Sequence, residues 1–389
     1  MRLVTDIPNL ASLLLSFFDI CLATAILGCL CNLIESALVL GFGGEGADGP
    51  APTAPVTVLK PLHGIEPELP ARLAAFCRQD YGGPVQVLCG TQNIVAPAAA
   101  VLRDIADEDP NKAVELAVDA RCHGANRKVS NLINMLPRAR HDTLVLSDSD
   151  IVVEPGYLRT VTALLAAPRV GAVTCLYHGV AGEGLWARLS ALAINAHFLP
   201  QAILAVTFSL AKPCCGATIA LRRSTLERVG GFSALADVLA DDHALGVAVR
   251  AAGYEVVTAP CVVGHRCFET SLRELLRHEL RVARTIRSID PIGYLGTVIT
   301  HPWPLALIAM LGGGSDALMV AIAVLLSRVM LCRSVEHRFE LPRQNYWLIP
   351  LHDVIAFAVY VASFFGATVH WCGADYRVTA DGALIEDET

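Results

Sequence analysis

The chain runs to 389 residues, 54% hydrophobic and 17% charged, with a formal net charge of −7. That is too apolar for an ordinary soluble domain and too polar for a chain held in lipid throughout, so soluble and membrane parts are both expected. The acidic balance, with a pI near 5.9, gives no reason to expect nucleic acid, whose phosphates would want a basic excess on one face. The thirteen cysteines, none in C-x-x-C spacing, point to reduced thiols of a cytosol-facing protein rather than to a zinc site.

From Leu10 to Leu40 only Asp19 and Glu35 are charged, and the run is long enough to cross a bilayer once. It lacks the basic start and small-residue cleavage site of a signal peptide, which predicts an anchor that stays attached. A flexible linker, "GFGGEGADGPAPTAP", follows. Strands and helices then alternate: "VTVLKPL", "ELPARLAAFCRQ", "VQVLCGT", "APAAAVLRDIADE", "KAVELAV", "NRKVSNLINMLPRA" and "TLVLSDSDIVV". Such alternation predicts an α/β domain with a mostly parallel, Rossmann-like sheet and helices on both faces, its ligands gathered at the carboxyl ends of the strands.

Asp148 and Asp150 stand at such an end. Alternation along an extended chain would turn both carboxylates to one side. There they suit Mg2+ or Mn2+ bridging to nucleotide phosphates. An ordinary Asp-Ser-Asp turn is the bland alternative. Further on, Asp241 and Asp242 open a helix that ends near Gly253; acids there stabilise a helix N-terminus, and capping by Asp241 is compatible with catalysis by Asp242. "SLRELLRHELRVARTIRSI" spaces Leu272, Leu275, Leu276, Ala283 and Ile286 helically against five arginines, which predicts a basic amphipathic helix on an anionic lipid surface. Three apolar runs follow, near Gly296–Leu311, Ala317–Cys332 and Trp347–Phe365, each short enough to be re-entrant or interfacial. Four segments result: 1–45, anchor and linker start; 46–290, cytosolic domain ending in the basic helix; 291–368, membrane helices flanking that domain; and 369–389, a short tail.

The ordered set "VTVLKPLHG", "NRKVSNLINML", "SDSDIVV", "CCGATIALRRSTLERVGGF", "LADDHALG" and "RHELRVARTIR" resembles the ceramide glucosyltransferase family, most closely its bacterial hopanoid-biosynthesis members, over about Val56 to Ile289. The resemblance implies a GT-A-like fold, a UDP-sugar donor, Mg2+ or Mn2+, a lipid hydroxyl as acceptor, and inversion at the sugar carbon. By matching position it implies Asp148 and Asp150 as the metal-binding pair and Asp242 as general base. Lys60 and Lys128 would face the donor diphosphate with Asp241 beside it. His278 and Arg281 fall in the family's Gln-x-x-Arg-Trp-like motif, and His197 falls on the acceptor side.

Two motifs depart from the family pattern, at three positions. Asn93 and Ala96 replace aspartates that would help hold the nucleotide, and Val282 replaces an indole that would stack or donate. Both predict weaker donor affinity. The implied protein is a bacterial inner-membrane enzyme moving N-acetylglucosamine or glucose to a hopanoid polyol such as bacteriohopanetetrol. The alternatives are a ceramide glucosyltransferase proper, a non-catalytic nucleotide- or lipid-binding relative, and, below these, a processive polysaccharide synthase. UDP-sugars are cytosolic, and the basic loop "RSVEHRFELPR" favours the same side. Trp371, Tyr376 and Val378 suggest a small strand packing on the cytosolic face, which a re-entrant final hairpin would allow.

Overall fold

The computed structural model describes residues 10–43, 52–62, 68–93, 114–366, 368–371, 374–378 and 384–386. The helix expected over 96–108, with Ala96, lies outside these residues, as does most of the 41–55 linker. The first helix, α1 (Leu10–Gly41), has 32 residues. It exposes apolar side chains around its circumference, Leu15, Phe17, Ile20 and Leu30 among them. That is the surface of a helix meant for lipid rather than for a one-sided core.

The α/β domain is built on β1 (Val56–Pro61), β2 (Val85–Thr91), β3 (Val114–Val118) and β4 (Thr143–Ser147), joined parallel in the order β3-β2-β1-β4. Alternation along the strands feeds two cores. Val56, Val58 and Val145 pack with α2 (Leu69–Cys77) and α4 (Tyr157–Leu165) on one face. Leu59, Leu144 and Leu146 pack with α3 (Arg127–Met135) on the other. Beyond β4 the sheet becomes mixed. β7 (Thr218–Arg222) runs antiparallel to both β4 and β6 (Val170–Ala181), and β8 (Glu255–Cys267) runs parallel to β6. The two-residue β5 (Ile151–Val152) closes the edge against β8. Six of the eight strands therefore share a direction, with helices on both faces.

Thr143–Val153 is not one continuous strand. The chain leaves the sheet centre after Ser147, turns through Asp148–Asp150, and re-enters at the far edge as β5.

Between β6 and β7 lies an apolar helical stretch without a counterpart in the sequence reading: α5 (Leu185–Ala193), a π turn at Ile194–Phe198, and α6 (Leu199–Thr207). At 23 residues it is long and apolar enough to cross a membrane. Yet β6 and β7 are hydrogen-bonded neighbours in one sheet, so it cannot carry the chain to the other side. It packs Leu199 and Ile203 against Val39 near the end of α1.

α7 (Arg223–Arg228) and α8 (Asp241–Ala251) complete the domain, and α9 (Leu272–Ile289) is the basic amphipathic helix. The next run is not one helix. α10 (Pro291–Gly296) with its following turn is bent by 62° from α11 (Pro302–Met310), at a point where Pro302 and Pro304 remove backbone donors. α12 (Ser315–Arg338) then runs alongside α1 in the same direction. Asn32 Nδ2 donates to Ser327 Oγ at 3.0 Å, and Arg338 Nε to the Phe42 carbonyl at 2.5 Å.

α13 (Ile349–Ser363) follows α9, Leu275 meeting Ile349 and Ala283 meeting Val359. Arg284 and Arg287 were expected on lipid. They instead donate to the carbonyls of Phe365, Thr368 and Gly366, because the end of α13 leaves carbonyls without intrahelical donors. The tail forms three antiparallel strands, β9 (Thr368–Trp371), β10 (Ala374–Val378) and β11 (Leu384–Glu386), with β9 beside α9.

Candidate active site

The site grows from the turn after β4. Ile151 N–H donates to the Asp148 carbonyl at 3.2 Å, closing the turn, so the two carboxylates do not share one face of an extended strand. Asp148 Oδ1 lies 2.8 Å from Lys128 Nζ, whereas Asp150 Oδ2 lies 3.5 Å from His265 Nδ1. Asp150 Oδ1 is buried without a partner among the described residues.

Two cations hold this turn from beneath. Lys60, expected at the donor diphosphate, is fully buried. Its Nζ donates to the Asp148 carbonyl at 2.8 Å and to Ser147 Oγ at 3.2 Å, and stands 4.1 Å from the Phe76 ring centroid. The reason is register: Lys60 lies on β1 beside β4, under the turn rather than in front of it. Arg72 on α2 donates through Nε to the Ser149 carbonyl at 2.9 Å.

Asp241 and Asp242 come to the same place from α8. Asn126 caps α3, accepting from Val129 N–H at 3.0 Å, and its Nδ2 donates to the Val238 carbonyl at 2.8 Å. This ties Lys128 to the loop that begins α8. Lys128 Nζ lies 3.3 Å from Asp241 Oδ2 as well. Asp242 Oδ2 accepts from Gly216 N–H at 2.6 Å and Oδ1 from His243 N–H at 2.7 Å. A Cβ on Gly216 would stand only 3.0 Å from Asp242 Oδ2, so glycine permits this approach.

The charges are strongly coupled. Burial pulls the Lys128 ammonium down, but Asp148, Asp241 and Asp242 outweigh it and hold it protonated well above its usual range. Burial and neighbouring acids push Asp148 and Asp241 up against the pull of Lys128. Asp150 is held below its usual range: burial opposes this, but His265, Lys60 and Arg72 prevail. His265 is raised in turn, since Asp150, Asp148 and Glu269 overcome burial. The orphaned buried Asp150 oxygen, beside an Asp148 carboxyl that burial and its neighbours push up, suits a divalent cation. Among the described residues no three His, Cys, Asp or Glu side chains converge as a metal cage. The aspartate pair would therefore share such an ion with phosphate and water, as Mg2+ prefers.

The other expected residues lie apart. On α9, His278 Nδ1 meets Glu269 Oε1 at 3.0 Å, and Arg281 is half-buried. Val282 is 37% exposed. Asn93 is exposed at the end of β2. His197, expected on the acceptor side, sits on the π turn, its ring 4.9 Å from that of His301 and 6.3 Å from that of His352, in a second cluster of side chains among the apolar helices. Arg72, Asn126, Tyr177 and His265 were not singled out from sequence. Each sits in an ordinary helix, cap or strand pattern, and only a polar residue inside an apolar run hints at it. Tyr177 stacks on Phe198 at 4.5 Å and tilts against His265 at 5.5 Å, joining the aspartate turn to the π turn.

The fold and this acid-lined strand end define a GT-A-type glycosyltransferase scaffold. A mannosyltransferase from Pyrobaculum calidifontis, solved in complex with GDP-Man and Mn2+, shares the fold with a TM-score of 0.54 and 20% identity over 90% of this chain and 99% of that one. The chain belongs to Glycosyl transferase family 21, which it matches over residues 20–384. It is 25% identical over 210 residues to ceramide glucosyltransferase 1 of Caenorhabditis elegans, covering 52% of this chain and 44% of the relative. To a ceramide glucosyltransferase of Gibberella zeae it is 28% identical over 125 residues, 30% of this chain and 24% of the relative. The chain thus spans less than half the length of these curated relatives.

Proposed function

We propose that the protein is a membrane-bound inverting glycosyltransferase that moves N-acetylglucosamine or glucose from a UDP-sugar to the hydroxyl of a lipid. The observation that carries this reading is the meeting of Asp148 and Asp241 on the single ammonium of Lys128, with Asp242 fixed beside them. Membership of family 21 and two relatives named as ceramide glucosyltransferases support a lipid acceptor. The ordered motifs favour a hopanoid polyol such as bacteriohopanetetrol in a bacterial inner membrane, with ceramide as the alternative. A cytosolic donor places the catalytic domain on the cytosolic side. The contact of β9 with α9 fits a final helix that returns the tail to that side.

Mg2+ or Mn2+ bound at Asp148 and Asp150 would neutralise the leaving diphosphate. Lys128, kept charged by its acids, adds a fixed positive group next to that position. Lys60 and Arg72 hold the carbonyls of the aspartate turn, so its carboxylates meet the donor without rearrangement. Asp242 receives the proton of the attacking lipid hydroxyl. Gly216 and His243 each occupy one lone pair of its oxygens and leave another for the hydroxyl. Arg281 and His278, on α9, enter this reading only through the family motif they match, since His278 is engaged by Glu269.

The test is transfer of radiolabelled sugar from a panel of UDP-sugars into lipid by the purified protein in detergent, with and without Mn2+. Metal-dependent label in a polyol lipid or ceramide is expected. It should fall by about 10² to 10⁴-fold in Asp242→Asn, the usual worth of a general base. No label from any donor, despite measurable UDP binding, overturns the proposal and leaves a non-catalytic relative in which Asn93 and Val282 mark the loss.

A further inference from the structure

Cys175 on β6 and Cys261 on β8 approach with their Sγ atoms 3.9 Å apart. The two strands are parallel neighbours, but their register breaks between Thr174, which pairs with Thr258, and Leu176, which pairs with Val262. Cys175 alone on β6 therefore faces Ala259, Pro260 and Cys261 on β8, and Pro260 has no N–H to give a ladder. Neighbouring strands run roughly 4.7–4.9 Å apart, inside the Cα separation of about 4.4–6.8 Å that a disulfide accepts. Bringing the sulfurs to about 2 Å asks for side-chain rotation and a small shift of backbone that the bulge has already released from the ladder.

The two thiols are unequal. Cys175 is fully buried, whereas Cys261 is partly exposed. The Cys175 S–H donates to the Cys261 sulfur, and this holds Cys261 below the usual thiol range against the opposing effect of burial. The same contact, with burial, pushes Cys175 up. Burial also pushes Cys214, Cys215 and Cys267 up. Cys261 is thus a sulfur that can be reached and that ionises readily, with a second thiol beside it to resolve an oxidised product.

The pair also lies close behind the aspartate turn. Tyr177 follows Cys175 by two residues and His265 follows Cys261 by four. Their rings meet at 5.5 Å, and His265 Nδ1 lies 3.5 Å from Asp150 Oδ2. Thr174, next to the bulge, accepts from Cys215 N–H at 2.9 Å, and the adjacent Gly216 N–H holds Asp242. A shift of β6 against β8 at the bulge is therefore passed to side chains on both sides of the site.

We propose that Cys175 and Cys261 form a dithiol site that a hydroperoxide closes to a disulfide and a thiol reductant reopens, and that closure weakens metal-dependent nucleotide binding at the aspartate turn. With hydrogen peroxide, the Cys261 thiolate attacks one oxygen and the O–O bond breaks. The departing hydroxide takes up the proton that Cys261 released and leaves as water, and Cys261 becomes a sulfenic acid. Cys175 then gives up its proton and attacks Cys261 Sγ. The S–S bond forms, the S–O bond breaks, and hydroxide leaves with that proton as a second water. The two thiols together lose two electrons, which reduce one peroxide to two waters. Disulfide closure is independent of the sugar-transfer reading, whereas its effect on nucleotide binding rests on it.

The test treats the purified full-length protein in detergent with hydrogen peroxide, blocks the remaining thiols with N-ethylmaleimide and maps disulfides by peptide mass spectrometry. Mn2+-dependent UDP binding is measured on the same samples. A linked Cys175–Cys261 peptide that dithiothreitol removes is expected, with UDP affinity about tenfold lower in the oxidised protein and restored on reduction. Cys175→Ala should leave Cys261 as a sulfenic acid that dimedone traps, and its UDP affinity should no longer respond to peroxide. Should that variant lower the melting temperature sharply, Cys261→Ala, at the less buried position, replaces it and should give neither the link nor the response. No linked peptide in wild type at a peroxide concentration that oxidises the exposed Cys122 overturns the proposal. So does a linked protein that binds UDP unchanged, or a peroxide effect on UDP affinity that persists in a folded alanine variant. Reduced wild type that binds no UDP refutes the donor-binding reading, and closure of the pair then stands or falls on the linked peptide alone.

Discussion

Lys60→Met separates two roles for a buried lysine. In the first, Lys60 meets the donor diphosphate; in the second, it braces the aspartate turn. Its ammonium makes charge-assisted hydrogen bonds to the Asp148 carbonyl at 2.8 Å and Ser147 Oγ at 3.2 Å and lies 4.1 Å from the Phe76 ring centroid. Hydrogen bonds to charged groups contribute about 1.5–3 kcal/mol each, and a desolvated cation–π contact about 2 kcal/mol. Relief of the ammonium's own desolvation offsets part of this. The net loss is then about 2–4 kcal/mol, which in a domain of this size lowers the melting temperature by about 5–15 °C. Differential scanning fluorimetry and steady-state kinetics read both consequences. The bracing role predicts a lower melting temperature and a lower kcat with donor KM nearly unchanged. A normal melting temperature with a strongly raised donor KM would refute the argument and return Lys60 to the diphosphate.

Gly216→Ala should lower kcat by about tenfold with little change in melting temperature, because the new Cβ would stand 3.0 Å from Asp242 Oδ2 and must displace that carboxylate. An unchanged kcat means Asp242 is not held where the reaction needs it. Glu269 has a folded-state carboxyl below its usual 4.5: burial opposes the shift, but the His278 contacts prevail. Its contribution is therefore fully present above pH 4.5 and disappears as pH falls through the lower folded value. The melting-temperature gap between wild type and Glu269→Gln should be open at pH 7 and close in that acidic window. A gap that widens on acidification contradicts the sign. Arg328→Leu leaves Asp353 buried without its cation and should cost about 3–5 kcal/mol, whereas Arg328→Leu with Asp353→Leu should recover most of that. Equal instability of single and double variants would show that the pair's charge is not what matters.

Much of this protein is legible in one dimension because the controlling physics is local or periodic. The apolar run at Leu10–Leu40 gives α1, and the alternation from Val56 to Ser147 gives the strands and helices of the α/β half. Asp241 and Asp242 lie in the first turn of α8, where acids favour a helix N-terminus. The aspartates after β4 announce a polar site at a strand end.

What the sequence could not decide depends on neighbours distant along the chain. The antiparallel β7 enters a mostly parallel sheet because of pairing between β4 and β6, which no local pattern encodes. Lys60 lies under the turn and Lys128 in front of it, though both are lysines near strand or helix ends. Register against β4 and the Asn126 cap decide which one meets the acids. Leu185–Thr207 has the composition of a membrane span, and only the pairing of β6 with β7 forbids it to be one. Arg284 and Arg287 carry the charge expected of a lipid-facing helix, but the carbonyls at the end of α13 claim them. Composition and periodicity settle which groups must be buried or wet. Which buried group finds which partner is settled by long-range packing, since a desolvated charge goes to whatever complementary atom the tertiary fold brings within reach.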